Sequence, residues 1–226
     1  MDLLEAARER HSVRDYLAKP LGDEIIAELK SYIAGLNAQS GLNMQLAINE
    51  PKAFGSLKAR LLPHYGSFRN AVNYVAVIGK KNASTLEKCG YYGQKIVLEA
   101  QTLGINTCWV AGTYGKGKCK ANKNAGEKIV CVIALGYGEN QGLAHKSKPL
   151  SKLCTVPEAD LPDAPAWFRE GLEAAILAPT ALNQQKFLVS LEGDEALITT
   201  KGGMMTRLDL GIVKYNFEAA SGHKVR

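Results

Sequence analysis

Two short segments of the sequence concentrate side chains that can bind an anion. Residues 9–16, ERHSVRDY, place Arg10 and Arg14 four positions apart with His11 and Ser12 between them. Guanidinium groups match phosphate oxygens in bidentate geometry, and a serine hydroxyl adds a neutral donor, so this set can hold a dianionic phosphomonoester. A surface helix end carrying i,i+4 charges, Glu9 and Asp15 included, accounts for the same spacing, and spacing alone favours that plainer account. Residues 136–153, GYGENQGLAHKSKPLSKL, supply Lys146 and Lys148. The two lysines alternate, and Pro149 favours extended backbone before it, so both side chains face one way. They can complete a phosphate cage with Arg10 and Arg14, or form a solvated basic loop.

A third segment, APTALNQQ at 178–185, carries no charge. Thr180, Asn183 and Gln185 offer donors and acceptors suited to a polyol chain or to a ring with alternating C=O and N–H groups. The alternative is a capped loop in which Thr180 and Asn183 bond to the backbone. WVAGT at 109–113 ends an apolar run at Gly112, where backbone can approach a flat ring closely. Metal chemistry has no support: Cys89, Cys108, Cys119, Cys131 and Cys154 show no CxxC spacing, and His64, His145 and His223 lack partners at ligand spacing. Five cysteines, an odd number, give no disulfide framework either.

These segments must be positioned by elements that the sequence also outlines. A helix is expected over 2–8 and another over 21–36, where Ile25, Ile26, Leu29, Ile33 and Leu36 recur at helical spacing. Strands are expected at 44–50 and 74–80, with a short helix and a turn over 54–68 between them. A long helix over 84–103 stops at Gly104. TCWVAG (107–112) and KIVCVIALGYG (128–138) are apolar, β-rich runs of buried strands. VPEADLPDAP at 156–165 reads as a linker. After it come a helix over 166–177, the 178–185 loop, strands over 186–192 and 195–201, and a helix over 204–221.

Composition narrows the class. The 226 residues are 46% hydrophobic and 22% charged, which suits a globular chain able to bury a proper core. A formal charge of +6 favours anionic partners. An aromatic content of 7%, with no basic recognition helix, argues against nucleic acid. No apolar run approaches the ~20 residues that span a bilayer, and the first residues carry no apolar signal region. A reduced, cytoplasmic protein with no membrane or nucleic-acid partner is expected.

The element order repeats. LNMQ at 42–45 and LNQQ at 182–185 share Leu-Asn-x-Gln, with Asn43 and Asn183 140 positions apart. GQKIVLEAQTLG (93–104) and GIVKYNFEAASG (211–222) share bracketing glycines 118 positions apart, and an insertion at 51–72 in the first copy accounts for the difference. Short matches also arise by chance; the common helix–loop–strand–strand–helix order is what favours an internal duplication. Only the first copy has RHSVR and only the second has the richer loop, so one complete site at their junction is expected.

ERHSVRDY, APTALNQQ, GQKIVLEAQTLGINTCWVAG and VIALGYGE with HKSKPL together resemble the FMN-dependent nitroreductase family, over nearly the whole chain. The resemblance implies an α+β, nitroreductase-like fold: an antiparallel or mixed central sheet flanked by helices, with the duplication forming a pseudo-dimer. In ordinary members the Asn-x-Gln loop reaches the flavin of the other subunit. Here the first loop, NAQSGLNMQ, is degraded, so the chain resembles the family's single-chain branch, with a complete copy at 1–154 and a shortened copy at 155–226. By the same resemblance, Arg10, His11, Ser12 and Arg14 bind FMN phosphate and ribityl oxygens, and Lys146 and Lys148 match the family's basic pair. Pro179, Thr180, Asn183 and Gln185 bind ring and ribityl from the second copy, and Ala111 and Gly112 lie along the ring. The implied activity moves electrons from NADH or NADPH through FMN to a small nitroaromatic or quinone-type acceptor, with no catalytic side chain assigned and no metal. The alternative is an FMN carrier or redox sensor without rapid turnover. A monomer, or a weak homodimer, is expected. Two departures stand out: Lys186 replaces the family's Pro after Gln185, and the second copy lacks the later strands, so a single flavin site is expected.

Overall fold

The computed structural model describes residues 1–54, 67–80, 82–144 and 146–226. Most of the helix and turn expected over 54–68 falls outside the described residues, as do His64 and His145. The described helices are α1 (Leu3–Glu9), α2 (Asp23–Ser40), α3 (Ala83–Thr102), α4 (Ala166–Ile176) and α5 (Thr206–Ser221). The strands are β1 (Gln45–Ala47), β2 (Asn73–Lys80), β3 (Asn106–Val110), β4 (Glu127–Gly136), β5 (Phe187–Glu192) and β6 (Glu195–Thr200). The fold is α+β, as expected. β1 is shorter than the alternating 44–50 pattern because Asn49 turns left-handed, at φ 56°, and its N–H is taken by Asn73 Oδ1 at 2.9 Å.

One antiparallel sheet runs in the order β1-β2-β4-β3, and β5 and β6 form a separate hairpin. Every position of β2 except the last is buried. Both faces of the sheet are covered, which is why β2 and β4 read as nearly unbroken apolar runs rather than alternating ones. Val75 and Val77, with Cys131, Ile133 and Leu135, face the core shared with α2, α3 and α5. Tyr74, Ala76 and Ile78, with Val132 and Ala134, face a second cluster that includes Val13, Tyr16 and Phe54.

The second half of the chain is held by a helix crossing. α3 and α5 approach so closely that a Cβ on Gly90 would overlap the carbonyl oxygen of Leu208, and a Cβ on Gly211 would overlap that of Glu87. The contact is reciprocal: Gly90 also lies against Ile212 N, and Gly211 against Tyr91 N. Gly90 and Gly211 stand 121 positions apart, as do Glu87 and Leu208. The register at the crossing therefore differs by three residues from the 118 that the bracketing glycines imply. Gly93, the expected counterpart of Gly211, instead receives the ring of Trp109. A buried polar chain ties the same elements together. Trp109 Nε1 donates to Gln94 Oε1 (3.1 Å), Gln94 Nε2 to Asn216 Oδ1 (2.8 Å), and Asn216 Nδ2 to the carbonyl of Ala174 in α4 (2.9 Å). Among the described residues no helix is long and apolar enough to cross a membrane.

The crossing sets a stability test. Gly90→Ala and Gly211→Ala each force backbone apart, and each is expected to cost about 3 kcal/mol or more by overpacking. Gly35→Ala in α2, whose Cβ would meet nothing within 4 Å, is expected to be neutral or to stabilise by up to about 1 kcal/mol. Urea unfolding of the three variants checks the contrast.

Candidate functional site

α1 is capped by Asp2, whose carboxylate accepts from Glu5 N at 2.8 Å, and it ends at Arg10. The chain then runs extended along the edge of β3. Val13 N donates to Thr107 O at 3.0 Å, and Ser12 pairs with Thr107 as a parallel bridge. The basic segment is thus not a surface helix end. In extended backbone Arg10, Ser12 and Arg14 share one face, and His11 and Val13 take the other. All three of the first set line one cavity; Val13 is buried in the cluster behind the sheet, and His11 sits against Gly142.

The cavity measures about 830 Å³, within the range of small-molecule sites. One wall is Arg10, Ser12 and Arg14. Ala111 and Gly112, just past β3, form a second. Nothing stands within 4 Å of where a Gly112 Cβ would lie, so the wall is open there. The third wall comes from the other end of the sequence: Pro179, Thr180 and Asn183 from the 178–185 loop, then Met205, Leu208 and Asp209 at the start of α5. The crossing of α3 and α5 delivers that third wall.

Arg10 is only 3% exposed, and its Nε has no hydrogen-bond partner among the described residues. Burial pushes its pKa down to about 10, so it stays a cation at neutral pH. A buried guanidinium with an unsatisfied N–H on a cavity wall is costly unless an anion meets it.

Gln185, Lys146, Lys148 and His11 do not line the cavity. Gln185 is 3% exposed, and its amide clamps a passing strap of backbone. Gln185 Nε2 donates to Lys146 O (2.9 Å) and to Asn183 Oδ1 (2.8 Å), Lys148 N donates to Gln185 Oε1 (2.8 Å), and Asn183 Nδ2 donates to Lys146 O (3.0 Å). The Lys148 ammonium caps the carbonyl of Gln184 at 2.5 Å. The first half of the chain makes a similar clamp, on one strap residue rather than two. Gln45 Nε2 donates to Asn43 Oδ1 (2.7 Å) and Asn122 O (2.6 Å), Asn122 N donates to Gln45 Oε1 (2.9 Å), and Asn43 Nδ2 donates to Asn122 O (3.0 Å).

The two loops differ in backbone. Leu182, Asn183 and Gln185 are left-handed, at φ 55°, 51° and 42°, and so is Met205 at 63°; Leu42, Asn43 and Gln45 are not. Left-handed geometry costs a bulky side chain such as Leu about 1–2 kcal/mol, and here it is concentrated on the cavity wall.

Asp209 was not among the residues that sequence reasoning singled out. It is 5% exposed, with Oδ1 accepting from Ala181 N (3.0 Å) and Oδ2 from Gln184 Nε2 (2.6 Å). Gln184 Nε2 also donates to Met204 O at 3.0 Å, linking both cavity loops. The available signal was an acid set among Met205, Leu208 and Ile212 on the apolar stripe of a helix. Burial raises its pKa from 3.8 to about 6, against the two hydrogen bonds that lower it.

That shift makes stability depend on pH. The folded state binds this proton more tightly than the unfolded state, so the carboxylate's cost is full above about pH 6 and is relieved as pH falls toward 3.8. The full cost is on the order of 3 kcal/mol. Asp209→Asn is expected to remove this dependence, so its melting temperature should gain on wild type as pH rises from about 4 to about 7. Paired thermal melts across that range check it.

Among the described residues no group of His, Cys, Asp or Glu side chains is placed to hold a metal ion. No curated protein matches the chain. Solved structures do. A “putative nitroreductase” of Thermotoga maritima is 22% identical, with a TM-score of 0.70 over 97% of this chain and 83% of its own. A nitroreductase with bound FMN from Bacteroides fragilis is 20% identical, with a TM-score of 0.51 over 70% of this chain and 100% of its own. A “putative NADH dehydrogenase/NAD(P)H nitroreductase” of Bacteroides thetaiotaomicron is 24% identical, with a TM-score of 0.51 over 67% of this chain and 95% of its own. At these identities the likeness is one of fold. A family model matches residues 2–221, and the chain belongs to the family it describes, “Putative TM nitroreductase”.

Proposed function

We propose that the cavity holds FMN and that the protein is an FMN-dependent oxidoreductase. The observation that carries this reading is Arg10: a buried cation whose Nε–H has no partner among the described residues, on one face with Ser12 and Arg14, opening into a cavity large enough for a nucleotide-sized ligand. That donor set suits a phosphomonoester dianion. Ala111 and Gly112 offer a flat, open backbone wall for the ring, and Thr180 and Asn183 offer uncharged polar groups from the opposite side. Membership in the family and the FMN held by the Bacteroides fragilis relative support the choice of ligand.

The chemistry that FMN supplies when bound is electron transfer from NADH or NADPH to a nitroaromatic or quinone-type acceptor; the Bacteroides thetaiotaomicron relative bears an NAD(P)H nitroreductase name. The protein's part is to bind, orient and shield. Arg10 and Arg14 anchor the phosphate, and Met205, Leu208 and Trp109 supply apolar surface around the reacting end. Lys146, Lys148 and Gln185 act from behind the wall, by holding the strap and the loop in place. The chain works as two unequal copies, 1–154 and 155–226, the second taking the place of a partner subunit. The reciprocal glycine crossing and the matching Asn-x-Gln clamps support that division.

The test is an absorbance spectrum of the purified protein before and after incubation with FMN and desalting. Wild type is expected to retain flavin bands. Arg10→Ala with Arg14→Ala is expected to lose them, because two charge-assisted contacts are together worth about a hundredfold in affinity or more. Bleaching of the bands by NADH or NADPH, and their return with a quinone, tests turnover. A wild-type protein that retains no flavin sinks the proposal.

A further inference from the structure

The two Asn-x-Gln clamps use the same amide atoms on a passing strap, yet only in the second loop, which lines the cavity, are Leu, Asn and Gln themselves left-handed, whereas the first loop turns left-handed at Gly41. A contact outside the clamp also differs between the two halves. The residue at the matching place on the first long helix identifies it. Asp209 of α5 and Lys88 of α3 are 121 positions apart, the register of the glycine crossing. Each reaches the loop of its own half at matching positions. Lys88 Nζ approaches the carbonyl of Ser40 at 3.5 Å, and Asp209 Oδ1 takes the N–H of Ala181 at 3.0 Å. An ammonium draws a carbonyl toward the helix; a carboxylate draws an N–H. In the first half the N–H of Gly41 instead closes its helix on Asn37 O at 2.9 Å. In the second, the Ala181 N–H is pulled out to the carboxylate, and the residues after it follow the left-handed path.

We propose that Asp209 is the positioning residue of the site: its carboxylate, through Ala181 N and Gln184 Nε2, holds the 180–185 loop in the strained form that presents Thr180 and Asn183 to the cavity. The clamp itself is a property of the chain; its effect on flavin rests on the FMN reading above. Asp209 spends stability on function, since a buried carboxylate is costly and the loop it holds is strained, so its removal should separate the two.

Amide hydrogen exchange of the FMN-free full chain, read over 181–185, is measured for wild type, Asp209→Asn, Asp209→Ala and Gln184→Ala. FMN dissociation constants and melting temperatures are measured for the same set. Exchange is expected to be fastest in Asp209→Ala and intermediate in Asp209→Asn, which keeps an acceptor for Ala181 N. FMN affinity in Asp209→Ala is expected to fall about tenfold or more, while FMN-free Asp209→Asn melts no lower than wild type at neutral pH. Gln184→Ala keeps the carboxylate and should also speed exchange, so the clamp is tested even if Asp209→Ala does not fold. Unchanged exchange in the variants overturns the proposal. So does FMN affinity that falls only in parallel with melting temperature, which is what a merely structural residue would give. If wild type binds no FMN, the cofactor reading fails and exchange alone decides the clamp.

Discussion

The structure depends on one close approach. α3 and α5 cross where neither helix has a Cβ, with Gly90 on the carbonyl of Leu208 and Gly211 on that of Glu87. Glycine lowers helix propensity, and at both positions that cost is offset by letting two backbones meet. The apolar stripe of α5 is buried along this contact, and its first turn reaches the cavity built by the other end of the chain. Met205, Leu208 and Asp209 are cavity residues because the crossing puts them there.

The sheet supplies the rigid counterpart. β2 and β4 are covered on both faces, so β3 and the extended 11–14 segment beside it are fixed against a packed layer rather than a solvated edge. Arg10, Ser12 and Arg14 owe their common direction to that pairing with Thr107. Across the cavity the loop at 180–185 is held from two sides, by the strap at Lys146 and Lys148 and by Asp209. One wall is stiff through sheet pairing, and the other is stiff through side-chain amides and a carboxylate.

Much of this was legible in the sequence, and the parts that were not have physical reasons. Helices and strands emerged within a few residues because the apolar periodicities are strong. The fold class and the family followed from the motif set. The conformation of ERHSVRDY did not emerge, because a spacing of four puts Arg10 and Arg14 on one face of a helix and of a strand alike; only Ser12, two residues from each, tells them apart. Gln185 reads as a ligand contact because its amide is polar, but that amide lies off the cavity and meets Asn183 and a strap 37 to 39 positions away. Asp209 was missed because its partner is a backbone N–H 28 positions earlier, and no local pattern marks a main-chain donor. The bracketing glycines and the crossing follow different spacings: Gly104 and Gly222 end their helices 118 positions apart, while the glycines that meet at the crossing, Gly90 and Gly211, stand 121 apart.

That opposite walls of the cavity belong to one covalent chain has a consequence for mass action. Where two subunits must meet to complete a site, the fraction of complete sites falls as the protein is diluted. Arg10 and Asp209 are joined by a continuous backbone, so the distance between these walls is governed by an intramolecular equilibrium. The effective concentration of the second wall is set by chain connectivity, and it is the same in a crowded compartment as at a few molecules per cell.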